Sequence, residues 1–335
     1  MSDIKERKTV FSAIQPTGNL HLGNYLGAIS QWIKYKASYK TIFCIADLHT
    51  LTFPKDVLPF ERKKYSRDIA ALYIACGIDD NSYIFIQSHI PEHSELTWIL
   101  NCITPVGLLE RMSQYKLNSK LFDSIGTGLL DYPVLMASDI LLYNTDLVPV
   151  GEDQKQHVEL TCEIARRFNN LFGKIFKIPQ VVICKNRARI MSFNNPNIKM
   201  SKSIGLKKKG HIIGLLDSEK TIKKTIMSSL TDSGNEMRFK YASDGVKNLI
   251  KIAEILSDEN IEQISNRFLG LGYSDLKKHV FELVFDTLKP IQKRFYEIIN
   301  DQNYLNSIIE RGRRKVAPIA KKVMYRVKKV IGIGY

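Results

Sequence analysis

Apolar positions in the first half of the chain follow two alternating periods. Thr9–Ala13 (TVFSA), Thr41–Ala46 (TIFCIA) and Ser82–Ile86 (SYIFI) are short runs rich in β-branched and aromatic residues, and each predicts a strand. Between them the spacing lengthens. Ile69, Leu72, Tyr73 and Cys76 stand at i, i+3, i+4 and i+7, the pattern of one buried helix face. Strands alternating with helices predict an α/β fold, a parallel sheet covered by helices on both faces. Ligands of such sheets bind beyond the carboxyl ends of the strands.

The second half carries the helical period alone. Phe281, Val284, Phe285, Leu288, Ile291, Phe295, Ile298 and Ile299 form one long stripe, with a bend expected at Pro290. Val246, Leu249, Ile250 and Ala253 form another. Between the halves, Asn194–Gly210 is rich in Asn, Lys, Ser and Gly and reads as a mobile loop. The expected organisation is a catalytic α/β domain over 1–193, a mobile loop over 194–210 and a mainly helical domain over 211–335.

Composition narrows the class. The 335 residues are 44% hydrophobic and 25% charged, ordinary for a soluble globular chain with room for two domains. No apolar run is long enough to span a membrane, and the polar start Met1–Lys8 lacks an apolar signal segment, so a cytoplasmic protein is expected. The five cysteines form no C-x-x-C pair, which argues against structural zinc and leaves buried thiols. The 49 Lys and Arg against 34 Asp and Glu give +15, which favours a polyanionic partner such as RNA.

Two segments carry candidate chemistry. Gln15-Pro16-Thr17-Gly18-Asn19-Leu20-His21-Leu22-Gly23-Asn24 follows the first strand directly. A turn at Pro16 and Gly18 and a helix opening near His21 would aim free N–H groups and a helix dipole at phosphate, with His21 and Asn24 as donors. An ordinary capped turn is the competing reading. Lys199-Met200-Ser201-Lys202-Ser203 lies in the expected loop, and two lysines with two hydroxyls could clamp an oligophosphate. A solvated basic loop is the alternative there.

Taken together, HLGN after the first strand and a distant unaltered KMSKS resemble the paired motifs of the class I aminoacyl-tRNA synthetases. FSAIQPTGNLHLGNYLGA and LLDYPVLMASDILLYNTDLVPVGEDQKQHVEL narrow the resemblance to the bacterial-type tryptophanyl-tRNA synthetases, from about Lys8 to at least Asp232 and more weakly to the end. The resemblance implies a Rossmann-like catalytic domain followed by a helical anticodon-binding domain. It implies that tryptophan is activated with ATP to tryptophanyl-adenylate, with loss of pyrophosphate, and then transferred to the 2′-hydroxyl of tRNA(Trp).

Site residues follow from the same resemblance. Lys199, Lys202, His21 and Asn24 would be catalytic, stabilising the charge on pyrophosphate with Mg²⁺ held mainly by the ATP phosphates. Gln15, Pro16, Thr17, Gly23, Gly151, Glu152, Asp153, Ile190, Met200, Ser201 and Ser203 would complete the ATP site, although Asp153 could also cap the helix expected through Phe168. Tryptophan would be held by Asp139 as acceptor for the indole N–H, with Met136, Val148 and Val150 as walls and Tyr132, Gln154 and Gln15 at its polar end. The residues themselves place Met136 and Asp139 on one face of a helix expected to start near Pro133. Asp139 could instead pair with a lysine or arginine. His49 matches an active-site histidine of the family, and Ala13 stands where the family commonly has glycine.

From Arg311 onward, nine Lys or Arg occur and no Asp or Glu: Arg311, Arg313, Arg314, Lys315, Lys321, Lys322, Arg326, Lys328 and Lys329. Such a run suits RNA phosphates, or is a solvated helix end. The resemblance also implies a homodimer. Three rivals remain at this point: a tyrosyl-tRNA synthetase, a catalytically idle paralogue that binds RNA or senses tryptophan, and a small-molecule nucleotidyltransferase.

Overall fold

In a computed structural model, the structure describes residues 7–18, 20–53, 55–78, 82–121, 124–183, 190–200 and 210–334. The three expected strands form with small shifts, as β1 (Thr9–Ile14), β2 (Lys40–Ile45) and β3 (Tyr83–Ile86). Two further strands, β4 (Leu147–Val150) and β5 (Gln180–Ile183), complete a parallel sheet of order β3-β2-β1-β4-β5. Chain order reverses between β1 and β4, and the register there is short: only Val10 stands opposite Leu147. Pro149 is tolerated inside β4 because that strand keeps its full register with β5 while diverging from β1. The divergence opens the sheet at its carboxyl end, where ligands bind in folds of this kind. Ala13 sits in the central strand yet is exposed, which marks the same opening.

Successive strand residues face opposite sides and feed two cores. Phe43, Ile45, Ile84 and Ile86 face one, and Phe11, Ile42, Cys44, Phe85 and Val148 the other. The first helix begins at α1 (Leu22–Asn24), passes through a π turn at Tyr25–Ile29 and continues as α2 (Ser30–Tyr35). With α3 (Pro59–Ala75) it covers the first face. The segment between β3 and β4 folds as α4 (Glu92–Asn101), α5 (Val106–Glu110), α6 (Ser113–Asn118) and α7 (Gly128–Leu141). Together with α8 (Lys155–Phe172), α4 and α7 cover the second face. The helix expected near Pro133 starts earlier, at Gly128, and Pro133 lies inside it. Burial of Leu129 and the acidic Asp131 in the first turn favour the earlier start, at the cost of one hydrogen bond to the Leu129 carbonyl.

Beyond residue 210 the described elements are helices: α9 (Glu219–Met227), α10 (Asp244–Leu256), α11 (Ile261–Arg267), α12 (Tyr273–Asn300) and α13 (Gln302–Ile331). The stripe Val246, Leu249, Ile250, Ala253 is buried, and α12 runs unbroken through Pro290. The long α13 serves both cores. Leu305, Ile308 and Ile309 join the first, and Val316, Ala320, Val323, Met324 and Val327 return to the second. It crosses the edge strand β3 so closely that a Cβ on Gly312 would stand 1.8 Å from the Ile84 carbonyl oxygen. A helix laid along β3 shields an edge that would otherwise be a pairing template.

Candidate active site

The turn after β1 is held by the Thr17 N–H donating to the Gln15 carbonyl (3.0 Å), with Gly18 at φ +118°. His21 caps the helix that follows. Its Nδ1 accepts the Asn24 N–H at 3.3 Å, and Asn24 Oδ1 accepts the His21 N–H at 3.1 Å. Because Nδ1 is an acceptor, the proton of a neutral His21 sits on Nε2. The Leu22 N–H is taken by Ile213 O at 2.8 Å, so of the first three helical N–H groups only that of Gly23 has no acceptor among the described residues. Asn19 lies outside the described residues.

The second motif reaches the first. Lys199 bridges to Met191, and the Met200 N–H donates to the Ile190 carbonyl at 3.0 Å. Met200 and Ile190 are buried, and Met200 Sδ would stand 3.4 Å from a Cβ on Gly23. Any side chain at position 23 would therefore press on His21 and Met200 together. Ser201, Lys202 and Ser203 lie outside the described residues. Lys199 Nζ lies 3.3 Å from Asp153 Oδ1, which joins the loop to the turn Glu152–Gln154. Burial opposes ionisation of Asp153, but the Lys199 charge and hydrogen bonds from Gln154 and Lys199 outweigh it and hold the carboxyl below its ordinary value. Gly151 keeps room for that carboxylate, since a Cβ there would fall 2.8 Å from Asp153 Oδ1. Glu152 is exposed and Pro16 buried.

Tyr132, Met136 and Asp139 share one face of α7 at i, i+4 and i+7. Asp139 is 1% exposed and is the hub of a polar cluster. His49 Nε2 lies 2.9 Å from Oδ2, and Gln87 Nε2 and His93 Nδ1 each lie 2.6 Å from Oδ1. His93 Nε2 in turn meets the Tyr143 hydroxyl at 2.7 Å. Burial works against a charged Asp139, but the hydrogen bonds and charges of His49 and His93 prevail, and its carboxyl is held well below its ordinary value. Its partners are thus two histidines and a glutamine, where the sequence left open a lysine or arginine. Gln15 Nε2 donates to the His49 carbonyl at 2.8 Å and ties the end of β1 to the end of β2. Tyr132 stands edge-on to His49, with ring centroids 6.4 Å apart, and its hydroxyl meets His157 Nε2 at 2.7 Å. Burial pushes the His157 pKa down to about 4.

Sequence reasoning missed Gln87, His93 and His157. Each is a lone polar residue at a core-facing position, and a His spaced three from Gln154 on an amphipathic helix was the only available signal. The described candidates gather at the open end of the sheet. Val148 is the exception: it is buried in the second core, while Val150, two residues nearer the carboxyl end, is half-buried.

Residues 3–289 match the family model of the class I tRNA synthetases (W and Y). A tryptophan--tRNA ligase of Oceanobacillus iheyensis is 48% identical over 329 residues, covering 98% of this chain and 99% of that protein. The crystal structure of tryptophanyl-tRNA synthetase from Campylobacter jejuni, complexed with ADP and tryptophan, superimposes with a TM-score of 0.84 at 36% identity, covering 97% of this chain and all of that one. That of Mycoplasma pneumoniae superimposes at 0.88 with 32% identity over 98% of each chain. Such identity, sustained over nearly the whole length, together with Met200 of KMSKS standing against Gly23 of HLGN, shows that the chain belongs to the tryptophan branch of the class I tRNA synthetases.

Proposed function

We propose that the chain is a tryptophan--tRNA ligase whose site activates tryptophan with ATP and then esterifies tRNA(Trp). The observation that carries this reading is the direct contact among three segments far apart in sequence: Met200 against Gly23, and Lys199 on Asp153. ATP on the helix start would take the Gly23 N–H as a donor beside the His21 ring, which Asn24 fixes. Its ribose would compete for Asp153, which releases Lys199 towards the phosphates. The tryptophan carboxylate attacks the α-phosphorus, the bond to the bridging oxygen breaks, and pyrophosphate leaves with its charge met by Lys199 and Lys202. The tRNA 2′-hydroxyl then attacks the mixed anhydride, AMP leaves, and the hydroxyl proton goes to solvent or to the leaving phosphate. Alignment and charge stabilisation are the protein's contributions, with no protein nucleophile.

Asp139 supports indole specificity. A carboxylate offers about four lone-pair sites, and His49, Gln87 and His93 use three, so one acceptor direction is left for an indole N–H. Phenylalanine offers no donor for that direction and would bind more weakly than tryptophan, while His49, Gln87 and His93 keep the carboxylate itself hydrogen-bonded. The Mg²⁺ accompanying ATP would be held mainly by the phosphates. Trp98, Val106 and Leu117, exposed on α4, α5 and α6, support a homodimer built on that segment. No helix among the described residues is long and apolar enough to cross a membrane.

The test is amino-acid-dependent exchange of pyrophosphate into ATP, with the twenty amino acids supplied singly. Exchange with tryptophan alone is expected. Exchange with tyrosine would move the chain to the sister specificity, and none in a folded sample would make it an idle paralogue.

A further inference from the structure

A second cleft, of about 560 Å³, lies beside the aromatic pocket and contains none of the motif residues. One wall is the start of α3, with Arg62, Lys63 and Arg67, and the opposite wall is α13 at Glu310. Its floor runs through Asp47 and Ser88. These floor residues adjoin the pocket: Asp47 precedes by two the His49 that touches Asp139, and Ser88 follows Gln87, which donates to Asp139.

The acids of the cleft are already engaged. Glu310 accepts from Arg313 at 2.7 Å and from Arg314 at 2.8 Å. Asp47 accepts the N–H and hydroxyl of Ser88 at 2.9 and 2.6 Å. The bases are less satisfied. Lys63 is exposed and has no carboxylate partner among the described residues. Arg67 spends Nη1 on Asn306 Oδ1 at 2.7 Å, while its Nη2 is buried with no acceptor among the described residues. A buried guanidinium nitrogen without an acceptor is costly and suits an incoming anion. The rim adds an aromatic. Phe60 is 69% exposed and stands at i relative to Lys63 at i+3 and Arg67 at i+7, on the same face of α3. Cationic donors for phosphate beside an exposed ring for stacking are the chemistry that holds a single-stranded nucleic acid.

We propose that this cleft receives the single-stranded 3′ end of the acceptor RNA, with phosphates on Lys63 and Arg67 and a base stacked on Phe60. This rests on the tRNA ligase reading above. The strand then passes over the wall formed by Asp47–His49 and Gln87–Ser88 to deliver its terminal ribose to the activated carboxyl.

The test uses Lys63→Glu and Phe60→Ala in the full chain, with equilibrium binding of tRNA(Trp) and of the same tRNA shortened by its single-stranded 3′ nucleotides. Each variant is expected to bind the intact tRNA about tenfold more weakly. Both should bind the shortened tRNA as the unmodified protein does, and keep tryptophan-dependent pyrophosphate exchange within about twofold. Unchanged binding of intact tRNA overturns the cleft, and equal losses on intact and shortened tRNA overturn its assignment to the 3′ end. Absence of exchange in the unmodified protein overturns the ligase reading instead, while the binding comparison still decides the cleft.

Discussion

His157 shows how one side chain couples the pocket to acidity. It is 1% exposed, its Nε2 meets Tyr132, and its Nδ1 is buried without a partner among the described residues. Burial disfavours the imidazolium, and nearby His49 adds to the effect while Asp153 opposes it, leaving a pKa of about 4 against an ordinary 6.5. The unfolded chain therefore takes a proton near pH 6.5 that the folded chain refuses until about pH 4. Stability from this site is full above pH 6.5 and is lost as pH falls towards 4, by about 2 kcal/mol between pH 7 and 5. Thermal melts should show the unmodified protein losing more stability over that interval than His157→Gln. Parallel pH profiles for the two would mean the ring is not buried neutral. The sequence made the residues of HLGN, GED and KMSKS visible because each motif is contiguous. It hid Gln87, His93 and His157, because a polar side chain at a buried position is recognised only through partners from other elements, here Asp139 and Tyr132.

Elements were legible where one period dominates. The three strands β1–β3 and the helices over 244–256 and 273–300 announce themselves through alternating or 3.6-residue spacing. β4 and β5 did not. Each has four residues, β4 contains Pro149, and β5 is an edge whose side chains are only partly covered, so neither shows a clean alternation. The start of α7 was misread because proline is most at home in a first turn, and here burial of Leu129 overrides that preference. The packing of α13 on β3 was equally hidden, since a glycine within a basic helix reads as a weak spot. The structure gives it a purpose: a Cβ on Gly312 would stand 1.8 Å from Ile84 O and 2.6 Å from its carbonyl carbon, both rigid backbone. Gly312→Ala must push the helix off the strand despite its better helix propensity. It should cost about 3 kcal/mol or more in urea denaturation. A loss below about 1 kcal/mol would show that α13 does not seat on that edge.

At the scale of the whole molecule, the charge of +15 acquires a direction. The C-terminal half of α13 buries Val316, Ala320, Val323, Met324 and Val327 in the core behind the sheet. Its opposite face carries Lys315, Lys322 and Lys329, exposed and seven residues apart, so they lie in one line along two turns per step. None of the three has a carboxylate partner among the described residues, unlike Arg313 and Arg314 on Glu310 or Lys328 on Glu95. A line of unpaired ammonium groups on a rigid helix acts on a phosphate backbone through counterion release, whose mark is the salt dependence of binding rather than its strength at any one salt. Replacing all three lysines by glutamine should lower the slope of log affinity for tRNA(Trp) against log salt by about 3. Pyrophosphate exchange should be untouched, because the helix supplies nothing to the ATP or tryptophan sites. Lys63→Glu, by contrast, should lose its effect once the 3′ end is removed, whereas the triple replacement should act equally on intact and shortened tRNA. If the slope stays unchanged, the line is a solvated helix face, and the positive charge of this chain must meet RNA elsewhere.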